Sequence, residues 1–263
     1  MQNLVHPKEK QYHRVAFVFS MIVYGILALI LVSAIASGGR SGAIAGVGMV
    51  FVLAFYVGLI WLALFFAQGY FIARLRKNAV KLGERQFGDV LALVKSIAAD
   101  IGMKEIPEVY LLQEGGVLNA FATKFLSRNF MVIYSEIFEL AYAEGEDALK
   151  FVIAHELGHI HRRHLRGRWK IIPGFIIPFL AMAYSRGCEY TCDRYGKAYG
   201  KPSGNQGLLL LAAGKALYGK VNEEEVVKQA EEEEGFFMWL AEINASHPSL
   251  ARRIKHFKEF SVS

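Results

Sequence analysis

The chain has 263 residues, of which 54% are hydrophobic, and 30 Lys and Arg against 24 Asp and Glu give a formal net charge of +6. This composition excludes an intrinsically disordered chain, which needs low hydrophobicity, and two cysteines are too few for a disulfide-stapled secreted scaffold. The basic residues border apolar segments rather than an aromatic-rich groove, so they favour a membrane surface over nucleic acid as partner.

Two long apolar stretches lie near the start of the chain. Residues 15–36 carry no charge, and at 1.5 Å per residue they make roughly 33 Å of helix, enough to cross a hydrocarbon core of about 30 Å. Between Arg40 and Arg74 no residue is charged, and residues 43–67 are the most apolar part. We therefore predict a membrane anchor over residues 1–73, with transmembrane helices at about 15–36 and 43–67 joined by a Gly-rich turn at 37–42.

Two alternatives to this anchor are a buried hairpin of a soluble protein and a cleaved signal peptide. The apolar core of a signal peptide is usually about 7–15 residues long and is not followed at once by a second span. Basic residues precede the first stretch and follow the second, at positions 8, 10, 14, 74, 76, 77, 81 and 85. The positive-inside rule then puts both ends of the anchor, and everything after residue 74, in the cytoplasm.

Residues 74–263 have the composition of a mixed soluble domain. Helical spacing predicts a helix over 87–101 that ends at Gly102, and a second, longer helix over 148–164. Three short apolar runs predict strands, at residues 109–112, 117–125 and 129–133. The predicted fold class is α+β: a transmembrane helical hairpin followed by a mostly helical domain with a small sheet.

One apolar element interrupts this domain at residues 171–185. As a helix it would span only about 22 Å, too short for about 30 Å of hydrocarbon. It also carries Pro173 and Pro178, which break helices. We therefore predict a buried or shallow interfacial element that does not cross the membrane.

The strongest chemical signal is the run His155-Glu156-Leu157-Gly158-His159. On a helix, positions i and i+4 share one face, so both imidazoles can bind one Zn²⁺. Glu156 lies one residue on, where it can act as general base on a metal-bound water without being a ligand. The alternative is a pair of histidines that only pack in the core.

A catalytic zinc usually has three protein ligands and one open position. His161 lies about 200° round the helix from His159 and points away from it, so the third ligand should come from another helix. The run Cys-Glu-Tyr-Thr-Cys-Asp at 188–193 supplies candidates. We predict Glu189 as the ligand and Asp193, one helical turn on, as the residue that orients a ligating histidine.

A closed structural site is the alternative arrangement, with zinc held by His155, His159, Cys188 and Cys192. It would leave Glu156 without a role and the metal without an open position. The chain would then be a membrane adaptor rather than an enzyme.

These residues resemble a known family, the HtpX-like membrane zinc metalloendopeptidases, which are related to the type I CAAX prenyl proteases. Four pieces carry the resemblance in chain order: Asn119-Ala120-Phe121-Ala122, His155 to His159, Glu189 to Asp193, and Ser246 to Ile254. The resemblance implies a gluzincin fold with one Zn²⁺ per chain, held by His155, His159 and Glu189. The chain differs from HtpX itself, which has a further pair of transmembrane helices after its zinc helix.

The same resemblance puts three further residues near the cleft. Asn119 and Arg253 are expected to contact substrate, and His247 is expected to donate to the oxyanion that develops on the substrate carbonyl. Read without the resemblance, Asn119 is equally a strand-edge residue and His247 equally a helix-entry residue. We expect residues 129–134 to form an edge strand that pairs with substrate backbone.

These predictions describe a multi-pass protein of the cell membrane with a cytoplasmic zinc endopeptidase domain. Its partners would be the lipid bilayer and protein or peptide substrates, with no nucleic acid. By resemblance the substrates are misfolded or membrane-associated proteins, as in membrane protein quality control. The alternative is a maturation protease dedicated to one substrate, such as a lipidated peptide.

Overall fold

A computed structural model of the chain describes residues 4–37, 39–113, 120–144, 146–164, 170–200, 208–209, 213–214, 216–233 and 235–260. Most of these residues are helical, and a small mixed sheet lies in the middle of the chain. The predicted class, an apolar helical hairpin followed by a mostly helical domain with a small sheet, is confirmed.

The hairpin consists of α1 (Pro7–Ser37) and α2 (Gly39–Asn78). Both helices are long and apolar enough to cross a membrane. Only 11% of the most apolar window of α1 and none of that of α2 is buried, whereas a core helix of a soluble protein would be mostly buried. The exposed apolar surface therefore contradicts the buried-hairpin alternative and fits two helices that face lipid.

The connection between these helices is shorter than the predicted turn at 37–42. Helix α2 already begins at Gly39, which takes a φ of 51° that glycine adopts without strain. Gly42 and Gly46 then face α1, and a Cβ on Gly42 would come within 2.9 Å of the carbonyl oxygen of Ala34. Small residues at these positions let the two helices approach closely.

The sheet contains β1 (Val80–Lys81), β2 (Glu108–Leu112), β3 (Ala120–Phe125) and β4 (Arg128–Tyr134). Its order is β1-β2-β4-β3, with β2 parallel to β4 and the other pairs antiparallel. The prediction that residues 129–134 form an edge strand is therefore wrong. That run is apolar on both faces, and residues 130–133 are at most 2% exposed, which is typical of an interior strand. The edge strand on this side is β3.

The domain also contains the helices α3 (Gly88–Ile101), α4 (Ser135–Glu144), α5 (Asp147–His161), α6 (Leu180–Gly200), α7 (Glu223–Glu232), α8 (Phe236–Asn244) and α9 (Leu250–Glu259). Apolar residues of α3, α4 and α5 pack with those of the sheet in the main core. Helix α3 ends as predicted at Gly102, whose φ is 81°. Helices α5 and α6 lie so close together that a Cβ on Gly196 would stand 2.5 Å from the Phe151 ring. This close contact brings the residues of the predicted metal site together.

The apolar segment at 171–185 is broken, as its prolines predicted. A 3-10 turn covers Pro173–Ile176, Phe179 has a φ of 62°, and α6 begins at Leu180. The segment lies against α1, where the Gly174 N–H donates to Ser20 Oγ at 2.7 Å. Its position relative to a bilayer stays a prediction.

The start of α1 is packed into the domain rather than standing apart from it. The His6 N–H donates to Thr191 Oγ1 on α6 at 2.9 Å. A Cβ on Gly187 would come within 2.8 Å of the Glu9 nitrogen, so only glycine allows this approach. Residues 6–9 therefore contact the same helix that carries Glu189.

Candidate metal centre

Helix α5 presents both histidines of the predicted zinc motif on one face. The rings of His155 and His159 lie with their centroids 5.1 Å apart at an angle of 64°. Glu156 is 7% exposed and lines the same cavity as the two imidazoles. The helical spacing of the motif therefore places all three side chains at one cavity.

The cavity they line has a volume of about 250 Å³. Edge strand β3 forms one wall through Ala120, Phe121 and Ala122, and α6 forms another through Cys188 and Glu189. The open space thus lies between the helix of the two histidines, the helix of the acidic residue and a strand edge.

Glu189 lies between the two imidazoles. Its Oε2 is 3.5 Å from His155 Nε2, and its Oε1 is 3.4 Å from His159 Nε2. The Glu189 side chain is only 7% exposed. Two Nε2 atoms and one carboxylate thus converge in a buried pocket, which is the donor set that zinc prefers in catalytic sites.

Asp193 supports His155 from the other side of the ring. Its Oδ1 is 3.1 Å from His155 Nδ1, a close ionic contact whose alignment is poorer than that of a hydrogen bond. Arg253 on α9 donates to both oxygens of Asp193, from Nε at 2.9 Å and from Nη2 at 2.6 Å. This bidentate pair fixes the carboxylate that faces the imidazole.

These carboxylates and cations shift one another's pKa values. Burial would lower the pKa of His155, but the carboxylates of Asp193 and Glu189 outweigh it and raise that pKa to about 10. Burial would raise the pKa of Glu189, but hydrogen bonds from His155 and His159 hold it well below its ordinary value. Burial opposes ionisation of Asp193 too, and the charge of Arg253 lowers its pKa nonetheless. Both carboxylates are therefore ionised at neutral pH.

Cys192 lies close to both imidazoles of the candidate metal centre. Donor atoms of His155, His159 and Cys192 all fall within 4.8 Å of one another. The thiol is fully buried, and that burial raises its pKa well above the ordinary value. Two donor sets therefore share the same two imidazoles, one completed by Glu189 and the other by Cys192.

The resemblance also singled out three residues near the cleft. His247 Nε2 lies 3.5 Å from Glu189 Oε1, and its side chain is 66% exposed at the cavity mouth. Arg253 lines the cavity and forms an ion pair with Asp193. Its contact with substrate stays a prediction. Asn119 lies outside the described residues.

Three side chains, His164, Glu9 and Arg162, form contacts behind His159 that the sequence did not predict. His164 Nδ1 is 3.1 Å from His159 Nδ1, and His164 Nε2 is 3.4 Å from Glu9 Oε1. Arg162 donates from Nη2 to the same Glu9 oxygen at 2.8 Å. The only available signal was a single acidic residue in the otherwise basic lead of α1.

These residues fit a zinc ion on the chemistry of the donors alone. Imidazole nitrogens and a carboxylate converge from two helices. The outer nitrogen of each imidazole faces its own partner, Asp193 for His155 and His164 for His159. Such outer partners fix the ring orientation of a metal-binding histidine.

Comparison with known proteins adds a family to this geometry. The model of peptidase family M48 matches residues 84–174 and 170–261. The crystal structure of Ste24p from S. mikatae is similar, with 15% identity, a TM-score of 0.46 and coverage of 91% of this chain. The chain spans 63% of that Ste24p chain, and no curated protein matches it. Because the family model covers well over half of its residues, the chain belongs to peptidase family M48.

Proposed function

We propose that the chain is a membrane-anchored zinc metalloendopeptidase whose zinc ligands are His155, His159 and Glu189. The observation that carries the proposal is the position of Glu189 between the two Nε2 atoms, in a cavity that Glu156 also lines. Membership of a peptidase family and two lipid-facing helices support the same assignment.

Glu156 is the proposed acid–base residue. Zinc at this site would lower the pKa of a coordinated water and polarise the scissile carbonyl. Glu156 takes a proton from the attacking water and delivers it to the nitrogen of the leaving amine. It is buried beside the imidazoles, and its carboxylate forms no ion pair or hydrogen bond with the described residues, so it is available for that transfer.

His247 is the proposed donor to the substrate oxyanion. Its Nε2 points to the Glu189 side of the cavity, and Ser246 Oγ lies 3.0 Å from its other ring nitrogen. A positioned imidazole N–H stabilises the charge that develops on the carbonyl oxygen. Asn119 and Arg253 are the proposed substrate contacts, as the family resemblance implies.

Edge strand β3 supports a substrate that binds through its backbone. Ala120, Phe121 and Ala122 line the cavity, and β3 pairs with β4 along its other edge. A peptide that adds a strand at such an edge is recognised mainly by main-chain hydrogen bonds. We infer a broad range of unfolded or membrane-associated protein substrates, on the cytoplasmic side of the cell membrane.

The test is cleavage of casein by the purified protein and by Glu156→Gln. We expect the variant to keep its zinc and its fold but to lose activity by roughly 100-fold or more, the size of general acid–base help. Zinc content and circular dichroism serve as controls. Cleavage by Glu156→Gln at the wild-type rate would contradict the mechanism.

Substrate breadth needs a second measurement. A protease dedicated to one lipidated peptide would leave casein intact while the wild-type chain still binds zinc. Casein cleavage that 1,10-phenanthroline abolishes and added zinc restores supports the broader assignment. Cleavage that survives chelation would contradict a zinc enzyme of either kind.

A further inference from the structure

The chain folds back on itself immediately after the zinc helix. Helix α5 ends at His161, and Arg163 takes a φ of 58°, which reverses the backbone. The His164 N–H then donates to the His159 carbonyl at 3.0 Å. This turn lays the His164 ring against His159, with centroids 5.2 Å apart, and leaves His164 only 2% exposed.

Metal binding by His159 through Nε2 would assign a proton to one nitrogen of each ring. His159 Nε2 faces Glu189, so as a metal ligand through Nε2 the ring carries its proton on Nδ1. That Nδ1–H has His164 Nδ1 as acceptor at 3.1 Å. The His164 ring must then carry its own proton on Nε2, which lies 3.4 Å from Glu9 Oε1.

Glu9 is held firmly at the end of this chain of contacts. It is 4% exposed, and a buried carboxylate is costly unless it is paired. Arg162 supplies the pair, with hydrogen bonds from Nη2 at 2.8 Å and from Nε at 3.3 Å. The close approach of the Glu9 backbone to Gly187 fixes the same residue from the other side.

We propose that His164 and Glu9 are positioning residues that orient His159 for metal binding, so that the N-terminal end of α1 completes the metal centre. The proposal rests on the proposed function only in taking His159 as a zinc ligand. Glu9 belongs to the helix that leads into the first apolar stretch, so the membrane anchor and the metal centre are linked through three side chains.

The test is the zinc affinity of the full-length, detergent-solubilised protein, measured by competition with a chromophoric chelator. Loss of an outer partner typically weakens metal binding by about 10–100-fold. We expect that loss for His164→Leu, which fills the space without hydrogen bonds. We expect His164→Gln to stay within a few-fold of wild type, because its amide can accept from His159 and donate to Glu9.

The N-terminal partner has its own matched pair of variants. Glu9→Ala should weaken zinc binding, and Glu9→Gln, which keeps an acceptor oxygen, should weaken it less. Ser20→Ala is the control, since it removes another buried polar contact between α1 and the domain, to Gly174, without touching His164. It should leave zinc affinity unchanged.

Three outcomes would overturn the proposal. The first is wild-type zinc affinity in His164→Leu and Glu9→Ala. The second is an equal loss in His164→Gln and His164→Leu, and the third is an equal loss in Ser20→Ala and Glu9→Ala. Either equal loss would indicate a role in packing only. Melting curves in the presence of chelator verify that each variant is folded. Failure of the peptidase assignment would appear separately, as activity retained in Glu156→Gln, and would leave these affinities unaffected.

Discussion

The two imidazoles of the candidate metal centre have supports of different origin. His155 faces a carboxylate directly, Asp193 at 3.1 Å, and Arg253 holds that carboxylate from α9. His159 faces a second imidazole at 3.1 Å, and the carboxylate behind it comes from the far end of the chain. One support is internal to the domain, whereas the other depends on how the membrane helix is seated.

The two supports also differ in their exposure to water. Asp193 and Arg253 side chains are 5% and 12% exposed. Glu9 is equally buried at 5%, but its partner Arg162 is 34% exposed. Ion pairs gain strength, and become costly to break, as water is excluded. We therefore expect the Asp193–Arg253 pair to contribute more to the free energy of unfolding than the Glu9–Arg162 pair. The Glu9–Arg162 pair should be the more sensitive of the two to changes of pH and salt.

Both imidazoles face Glu189, and the largest effect is expected from changing that residue. Glu189→Ala removes one of three proposed ligands, so zinc affinity should fall by more than about 100-fold, beyond the loss seen for outer partners. Casein cleavage should fall with it. Cys192→Ser and Cys188→Ser, which alter the other possible donors on α6, should keep zinc and most activity.

Metal analysis of these three folded variants decides between enzyme and structural module. A closed site with two cysteines requires the opposite ranking, with zinc lost in the cysteine variants and retained in Glu189→Ala. That ranking would end the peptidase assignment. The closed site is an alternative that needs this test, because donor atoms of His155, His159 and Cys192 lie within 4.8 Å of one another.

The next largest effect concerns the stability lost when either arginine, Arg253 or Arg162, is replaced. Arg253→Met leaves the Asp193 carboxylate buried without its cation, and such a loss costs about 3–5 kcal/mol of unfolding free energy. Arg162→Met should cost less, roughly 1–2 kcal/mol, because its guanidinium is partly solvated. Chemical denaturation of the chelator-treated proteins measures both. Equal costs would contradict the contrast drawn between the two supports.

The predictable part of this centre is the part that lies within single helices. Helical spacing alone puts His155 and His159 on one face and Glu189 one turn from Asp193, and the structure keeps both pairs. Strand order is a tertiary property, which is why the edge was assigned to β4 instead of β3. His164 was unpredictable because its position follows from the reversed backbone at Arg163. Glu9 was unpredictable because its contact with Arg162 spans 153 residues.

The smallest expected effect is a response to acid at His6, next to the start of α1. Burial, with the charges of Arg194, His256 and Lys8, lowers the pKa of His6 to about 4, against 6.5 in an unfolded chain, while Glu9 opposes the shift only weakly. The unfolded chain therefore binds more protons between those values, so stability is full above pH 6.5 and is lost as the pH falls towards 4. Wild-type protein should therefore melt a few degrees lower at pH 5 than at pH 7 through this residue. His6→Phe should lose that part of the response and keep the rest, which includes the contribution of neighbouring His256, whose pKa burial also lowers. Differential scanning fluorimetry at the two pH values measures the difference in melting temperature. Identical pH responses in wild type and His6→Phe would show that the packing of the N-terminal segment against the domain does not depend on a neutral His6.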